Sequence, residues 1–255
     1  MTHSKSESNS TKPMTKGSLS RRRALGVLGA AAAAPFLARL PLQASTARTP
    51  RRAVPACVVR PAQTEGPYFL DAKLNRSDIR TDPTNGSVRD GVRLDLEFHV
   101  FRVDEAECVP LAGAVVDIWQ CDARGIYSGF NDMNGYFDTR GEQFLRGYQV
   151  TDNDGVARFT TIYPGWYRGR AVHIHFKIRT DPESNSGREF TSQVYFDDAT
   201  TDELLDNPAY SDNSQQRIRN DRDGIYRRGG DELTLALERR DDGGFAAAFE
   251  VGLLV

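Results

Sequence analysis

The chain has 255 residues, 39% of them hydrophobic and 27% charged, with a formal net charge of −2. That balance fits one ordinary globular domain and excludes collagen-like, coiled-coil and wholly disordered chains, because no heptad or G-X-Y period occurs. A near-neutral chain also carries no electrostatic footprint for a nucleic-acid partner.

The first 47 residues change that arithmetic. A polar stretch ends at Ser20, three arginines follow (Arg21, Arg22, Arg23), and an Ala/Leu/Gly run extends from Ala24 to Leu37, broken by Pro35. The run is shorter than the ~20 apolar residues that span a bilayer. Basic residues, a short apolar run and small residues at Ala44 and Ala47 form an export signal, and the paired arginines resemble a twin-arginine (Tat) signal. Residues 1–47 are therefore expected to be removed, and residues 48–255 to form the working domain; an uncleaved anchor is the alternative. Removal takes away seven basic residues and one acid, moving the net charge from −2 to −8. The expected product is acidic and secreted, periplasmic or at the cell surface, without stable membrane contact. The Tat route carries folded proteins and so suits a chain that acquires a cofactor before export.

Three cysteines, Cys57, Cys108 and Cys121, leave one thiol over in an oxidising compartment. Spacing leaves the pairing open. Cys57 and Cys108 lie in loop-like contexts and form the favoured pair, while Cys121 follows an apolar strand, where buried free thiols are common.

From residue 50 onward, short apolar runs alternate with turn residues. Val92–Val103 places Leu94, Leu96, Phe98 and Val100 in alternation with Asp95, Glu97 and His99, the period of a half-buried strand. Ala114–Trp119 is a second strand. Gly147–Thr151 and Val156–Ile162 flank Asp152–Gly155 and predict a hairpin. Ala171–Arg179 and Phe190–Phe196 follow, and Leu233–Leu237 and Phe245–Val251 give two weaker strands. Only residues 200–223 leave room for a short helix. Seven or eight strands predict an all-β, antiparallel β-sandwich with long loops carrying its chemistry.

Three histidines follow residue 47. His99 lies on the polar phase of its strand and is expected to be solvated. His173 and His175 form His-Ile-His on a strand, which puts both rings on one face about 6.5–7 Å apart. Two imidazoles at that separation can converge on one metal ion, although the dyad is silent about which metal. A bland reading as two solvent-facing side chains stands beside it, disfavoured because a sheet histidine brings a polar nitrogen that must be satisfied. Asp181 and Glu183 are the nearest carboxylates downstream, and they would suit an Fe(II) or Cu site. Tyr167 and Tyr127 are the nearby phenols. A phenol ionises near pH 10 and binds as phenolate only beside a strong Lewis acid, and ferric iron prefers anionic oxygen donors.

Tyr127, Tyr167 and the run Arg170-Ala171-Val172-His173-Ile174-His175-Phe176 resemble the iron-binding segments of the intradiol ring-cleavage dioxygenases, which include catechol 1,2-dioxygenases and protocatechuate 3,4-dioxygenases. Thr64-Glu65-Gly66-Pro67-Tyr68 is similar to the family's loop near the substrate mouth. The turn at Asp152–Gly155 resembles the approach to its second tyrosine, and Ser192-Gln193-Val194-Tyr195-Phe196 its glutamine-bearing strand. The resemblance runs from about Cys57 to Phe196 in the family's order. It implies one Fe(3+) per chain held by Tyr127, Tyr167, His173 and His175. It also implies Tyr167 as a base, Arg170 against charge developing on the ring, Gln193 supporting Arg170, and Gly66, Pro67 and Tyr68 near substrate. The implied reaction is O2-dependent cleavage of a catechol between its hydroxyl-bearing carbons, giving cis,cis-muconate-type products in aromatic catabolism. The implied partners are therefore a small aromatic diol and O2.

Two features depart from that pattern. Family members usually read Arg-Pro-Ala where this chain has Arg170-Ala171-Val172, and the Tyr167–His173 spacing is short, which implies a shallower, more open pocket. Trp119 and Trp166 are expected to be packing residues. A non-catalytic β-sandwich binding module is the competing reading; it leaves both tyrosines and the histidine dyad unexplained.

Overall fold

Alternation dictates the first strand. In β1 (Arg93–Val103), Leu94, Leu96, Phe98 and Val100 are fully buried, while the residues between them are only partly covered. The computed structural model describes residues 58–103, 107–131, 135, 137–181 and 187–254. The export signal read at residues 1–47, Cys57 and Glu183 lie outside the described residues. No helix among those described is long and apolar enough to cross a membrane.

The remaining strands are β2 (Cys108–Pro110), β3 (Val115–Trp119), β4 (Arg146–Val150), β5 (Val156–Ile162), β6 (His173–Arg179), β7 (Glu189–Tyr195), β8 (Glu238–Arg239) and β9 (Phe245–Leu254). They form two sheets. One has the order β2-β1-β9-β8, with β5 also paired to β1, and the other has the order β4-β3-β6-β7. All pairings between these strands are antiparallel except β1 with β9, which is parallel. The all-β two-sheet architecture agrees with expectation. The one α-helix among the described residues, α1 (Asp198–Leu204), is capped by the Asp197 carboxylate and overlaps the stretch where a short helix was anticipated.

Three local expectations need correction. The Asp152–Gly155 turn forms, with Gly155 N–H donating to Asp152 O, but β4 and β5 enter different sheets and make no hairpin. The aspartate-rich turn controls chain reversal; the buried pattern on each side then sends the strands to separate partners. Leu233–Leu237 is not a strand. Leu233 and Leu235 are buried, but only Thr234 bridges, to Tyr195 on β7, and the short strand begins at Glu238. His99 is not freely solvated: it is half-buried and its Nε2 lies 3.1 Å from Glu97 Oε2. Of the cysteines, Cys108 is disulfide-bonded and Cys121 is a buried free thiol.

The sheets pack through aromatic side chains. The Phe98 ring lies 5.1 Å from Phe176 of β6, and Phe176 lies 5.7 Å from Phe249 of β9. Because β6 alternates, Ile174, Phe176 and Ile178 enter this core while His173, His175, Lys177 and Arg179 point to the other face. The register sets Trp119 of β3, His175 of β6 and Gln193 of β7 side by side on that outer face. There the segment before β1 covers them: Phe69 packs on Trp119, Gly66 lies against His175, and Gln193 Nε2 donates to Thr64 O.

Candidate metal centre

The outer face of β6 starts the site. His173 Nε2 and His175 Nε2 are 3.1 Å apart. The loop before β6 brings Tyr167 Oη to 3.2 Å from His173 Nε2, and the loop after β3 brings Tyr127 Oη to 3.5 Å from the same nitrogen. The structure thus brings the four proposed donor atoms together from three chain segments. Two ligands on one first-row ion, with bonds of about 2.1 Å at a right angle, lie ~3.0 Å apart. The imidazole separation matches that geometry.

The electrostatics fit a cation. Burial, reinforced by the charge of Arg170, pushes His173 well below the usual histidine range. Burial and the neighbouring His173 do the same to His175. Both rings are therefore neutral, with lone pairs to offer. Burial raises both phenols: Tyr127 is lifted further by Tyr167, whereas Arg170 partly opposes the rise at Tyr167. Both phenols crowd the single lone pair of His173 Nε2, which can accept fully from only one of them, whereas a hard, highly charged ion would ionise both. Among the described residues no group of three or more His, Cys, Asp and Glu could hold a metal, so no described carboxylate completes this dyad. Asp181 instead lines a groove of about 590 Å³ with Asp71, Lys73 and Arg179.

Each histidine is oriented differently. His173 Nδ1 lies 2.7 Å from Ala171 O, a contact that favours a proton on Nδ1 and leaves Nε2 as ligand. His175 Nδ1 is buried without a hydrogen-bond partner. Its ring is gripped by packing: Trp119 stacks on it at 5.0 Å with an interplanar angle of 5°, and Gly66 lies against its other flank. Trp119 therefore does more than fill the core, a role that its apolar context in sequence did not reveal.

Gly66 has φ +72°, and a Cβ there would sit 3.1 Å from His175 Cε1. Gly66→Ala is expected to cost about 1–2 kcal/mol in backbone strain and to weaken any metal binding by displacing His175. Thermal melts and iron titration would check both effects. Tyr68 stacks on Tyr127 with centroids 4.4 Å apart, while Pro67 is exposed beside it. The predicted substrate loop thus reaches the site through Gly66 and Tyr68.

Arg170 Nη1 lies 3.4 Å from His173 Nε2. Its Nη2 donates to Gln193 Oε1 and to Tyr195 Oη, and its Nε donates to Asp223 Oδ2 at 2.9 Å. Gln193 Nε2 in turn donates to Thr64 O, tying β7 to the substrate loop. Tyr195, two residues after Gln193, was legible from alternation alone. Asp223, 53 residues beyond Arg170 in a polar stretch, was not.

The arrangement can hold a hard, highly charged ion and places a fixed cation, Arg170, beside it. Comparison with known proteins agrees with it. A family model described as Dioxygenase matches residues 64–225. Chlorocatechol 1,2-dioxygenase of Pseudomonas putida is 32% identical over 152 residues, covering 52% of each chain. The chain spans about half the length of the curated relatives it matches. An intradiol ring-cleavage dioxygenase from Tetranychus urticae superposes with a TM-score of 0.65 at 30% identity, covering 78% of this chain and 95% of the other. The dioxygenase domain of a dioxygenase carbohydrate-binding protein fusion from the cellulolytic bacterium Streptomyces sp. SirexAA-E gives 0.52 at 27% identity, covering 78% and 99%. Family model, relatives and donor geometry agree: the chain belongs to the intradiol ring-cleavage dioxygenase family.

Proposed function

We propose that this protein is an exported dioxygenase that binds one Fe(III) through Tyr127, Tyr167, His173 and His175 and opens catechol rings between the two hydroxyl-bearing carbons. The observation that carries the reading is the convergence of two phenols and two neutral imidazoles on one point, with the Arg170 guanidinium beside it. Bound there, ferric iron would withdraw electron density from a catecholate and so open the ring to O2.

The protein's own groups divide the remaining work. Tyr68, stacked on Tyr127 and edge-on to Tyr167, offers an aromatic surface to the substrate ring. Tyr167 Oη, on the less buried of the two phenols, is placed to accept a catechol proton. Arg170 presents a preorganised donor to negative charge that grows on the substrate, and such groups act strongly where water is excluded. Gln193 Oε1 accepts from the guanidinium Nη2, while Nη1 stays beside His173. Atoms balance as catechol plus O2 giving a cis,cis-muconate-type diacid, with both oxygen atoms retained.

Relatives named as catechol and chlorocatechol dioxygenases support the substrate class. The twin-arginine signal read at residues 1–47 supports action outside the cytoplasmic membrane, on catechols released from plant or lignin-like material. The Streptomyces fusion to a carbohydrate-binding protein in a cellulolytic bacterium is consistent with such a setting.

A visible spectrum with an iron assay tests the reading. The iron-loaded protein is expected to be red-brown from tyrosinate-to-iron charge transfer and to shift to longer wavelength with anaerobic catechol. Tyr127→Phe and Tyr167→Phe should each weaken that band and lower activity at least about a hundredfold. Full colourless activity in both variants would restore the carboxylate alternative.

A further inference from the structure

We infer that Asp223 is the positioning residue that aims Arg170 into the site, a role that rests on the dioxygenase reading above. A guanidinium is planar, and its direction is set only when separate nitrogens are anchored. Gln193 and Tyr195 both engage Nη2, so they fix one corner and leave the plane free to pivot about it. Asp223 takes the Nε corner at 2.9 Å. With two corners held, Nη1 is left facing His173 Nε2.

Asp223 is suited to this by being wholly committed. Its side chain is 1% exposed. Oδ2 accepts from Arg170 Nε and, at 3.0 Å, from Ala171 N–H, while Oδ1 accepts from Ile225 N–H at 2.7 Å and Tyr226 N–H at 3.4 Å. All four partners are donors. An asparagine of the same shape must turn its NH2 towards some of them, so a carboxylate is required rather than merely a polar side chain. One of those donors exists only because residue 171 is alanine; the proline that family members usually carry has no N–H. In this chain the carboxylate therefore clamps both the arginine side chain and the peptide leading into His173.

The test compares Asp223→Asn, Arg170→Ala and the double variant in the iron-loaded protein. Iron content, the tyrosinate band, kcat and KM are read together. Asp223→Asn is expected to keep its iron and band and to lose about thirtyfold in kcat, with KM changed less than about threefold. Added to Arg170→Ala, it should cost less than about twofold more, because its effect passes through the arginine. Unchanged kcat, or losses that multiply in the double variant, would overturn the assignment.

If Asp223→Asn cannot be folded or loaded, Ala171→Pro removes one donor to Asp223 and should lower kcat about threefold with iron retained; no change counts against the clamp. A crystal structure reads orientation without activity. In Asp223→Asn the Arg170 Nη1 should turn away from His173, and an unmoved guanidinium would sink the proposal. A wild-type protein that never shows the tyrosinate band overturns the dioxygenase reading instead, and the crystal comparison still decides whether Asp223 orients Arg170.

Discussion

Replacing His173 with alanine should strip iron from the site and reduce catechol cleavage by at least about a thousandfold. His173 Nε2 is the hub of the cluster, within 3.1–3.5 Å of His175 Nε2, Tyr167 Oη, Arg170 Nη1 and Tyr127 Oη. Removing it deletes a donor and also the Nδ1 contact to Ala171 O that ties strand to ligand. Iron per chain and O2 uptake are the measurements. The metal-free variant should melt within a few degrees of the metal-free wild type, because His173 points away from the core between the sheets. Loss of the stabilisation that metal binding adds would then show only when the two loaded proteins are compared.

Phe176→Ala, one residue beyond His175, should do the reverse. Phe176 is fully buried, with the rings of Phe98, Phe249 and Phe190 at 5.1, 5.7 and 5.9 Å. Truncation removes aromatic area and leaves a cavity between two sheets that cannot easily close, a loss of about 3–5 kcal/mol. For a domain of this size that is a drop of roughly 6–20 °C in Tm, readable by calorimetry. The fraction that remains folded should keep its tyrosinate band. An equal loss of iron in Phe176→Ala and His173→Ala would contradict the division of β6 into a structural face and a chemical face.

That division explains what was legible in the sequence. Period-2 patterning in β1, and His-Ile-His with Phe176 and Ile178 following, marks both faces of these strands. The four proposed donors stand out in the sequence because phenol and imidazole are chemically distinctive and their order resembles that of a known family. Strand partners were not legible. Nothing in residues 147–162 states that β4 pairs with β3 and β5 with β1, because partner choice is settled by distant burial. Leu233 and Leu235 are apolar and buried without being a strand, so composition there reported burial rather than backbone geometry. Trp119 and Asp223 were missed for different reasons: stacking on His175 depends on cross-strand register, and the Asp223 clamp joins residues 53 positions apart.

The origin of the pieces has a consequence for synthesis. Gly66 and Tyr68 emerge first, Tyr127 through His175 later, and Asp223 later still, ahead of β8 and β9. A nascent chain that has already exposed both tyrosines and both histidines still lacks the carboxylate that sets Arg170 and the strand β9 that runs beside β1 along Leu94 to Val103. Iron captured by such a chain would meet the four ligands without their fixed cation. On the proposed ferric reading, metal insertion that waits for Asp223 and β9 loads a site whose Arg170 is already set.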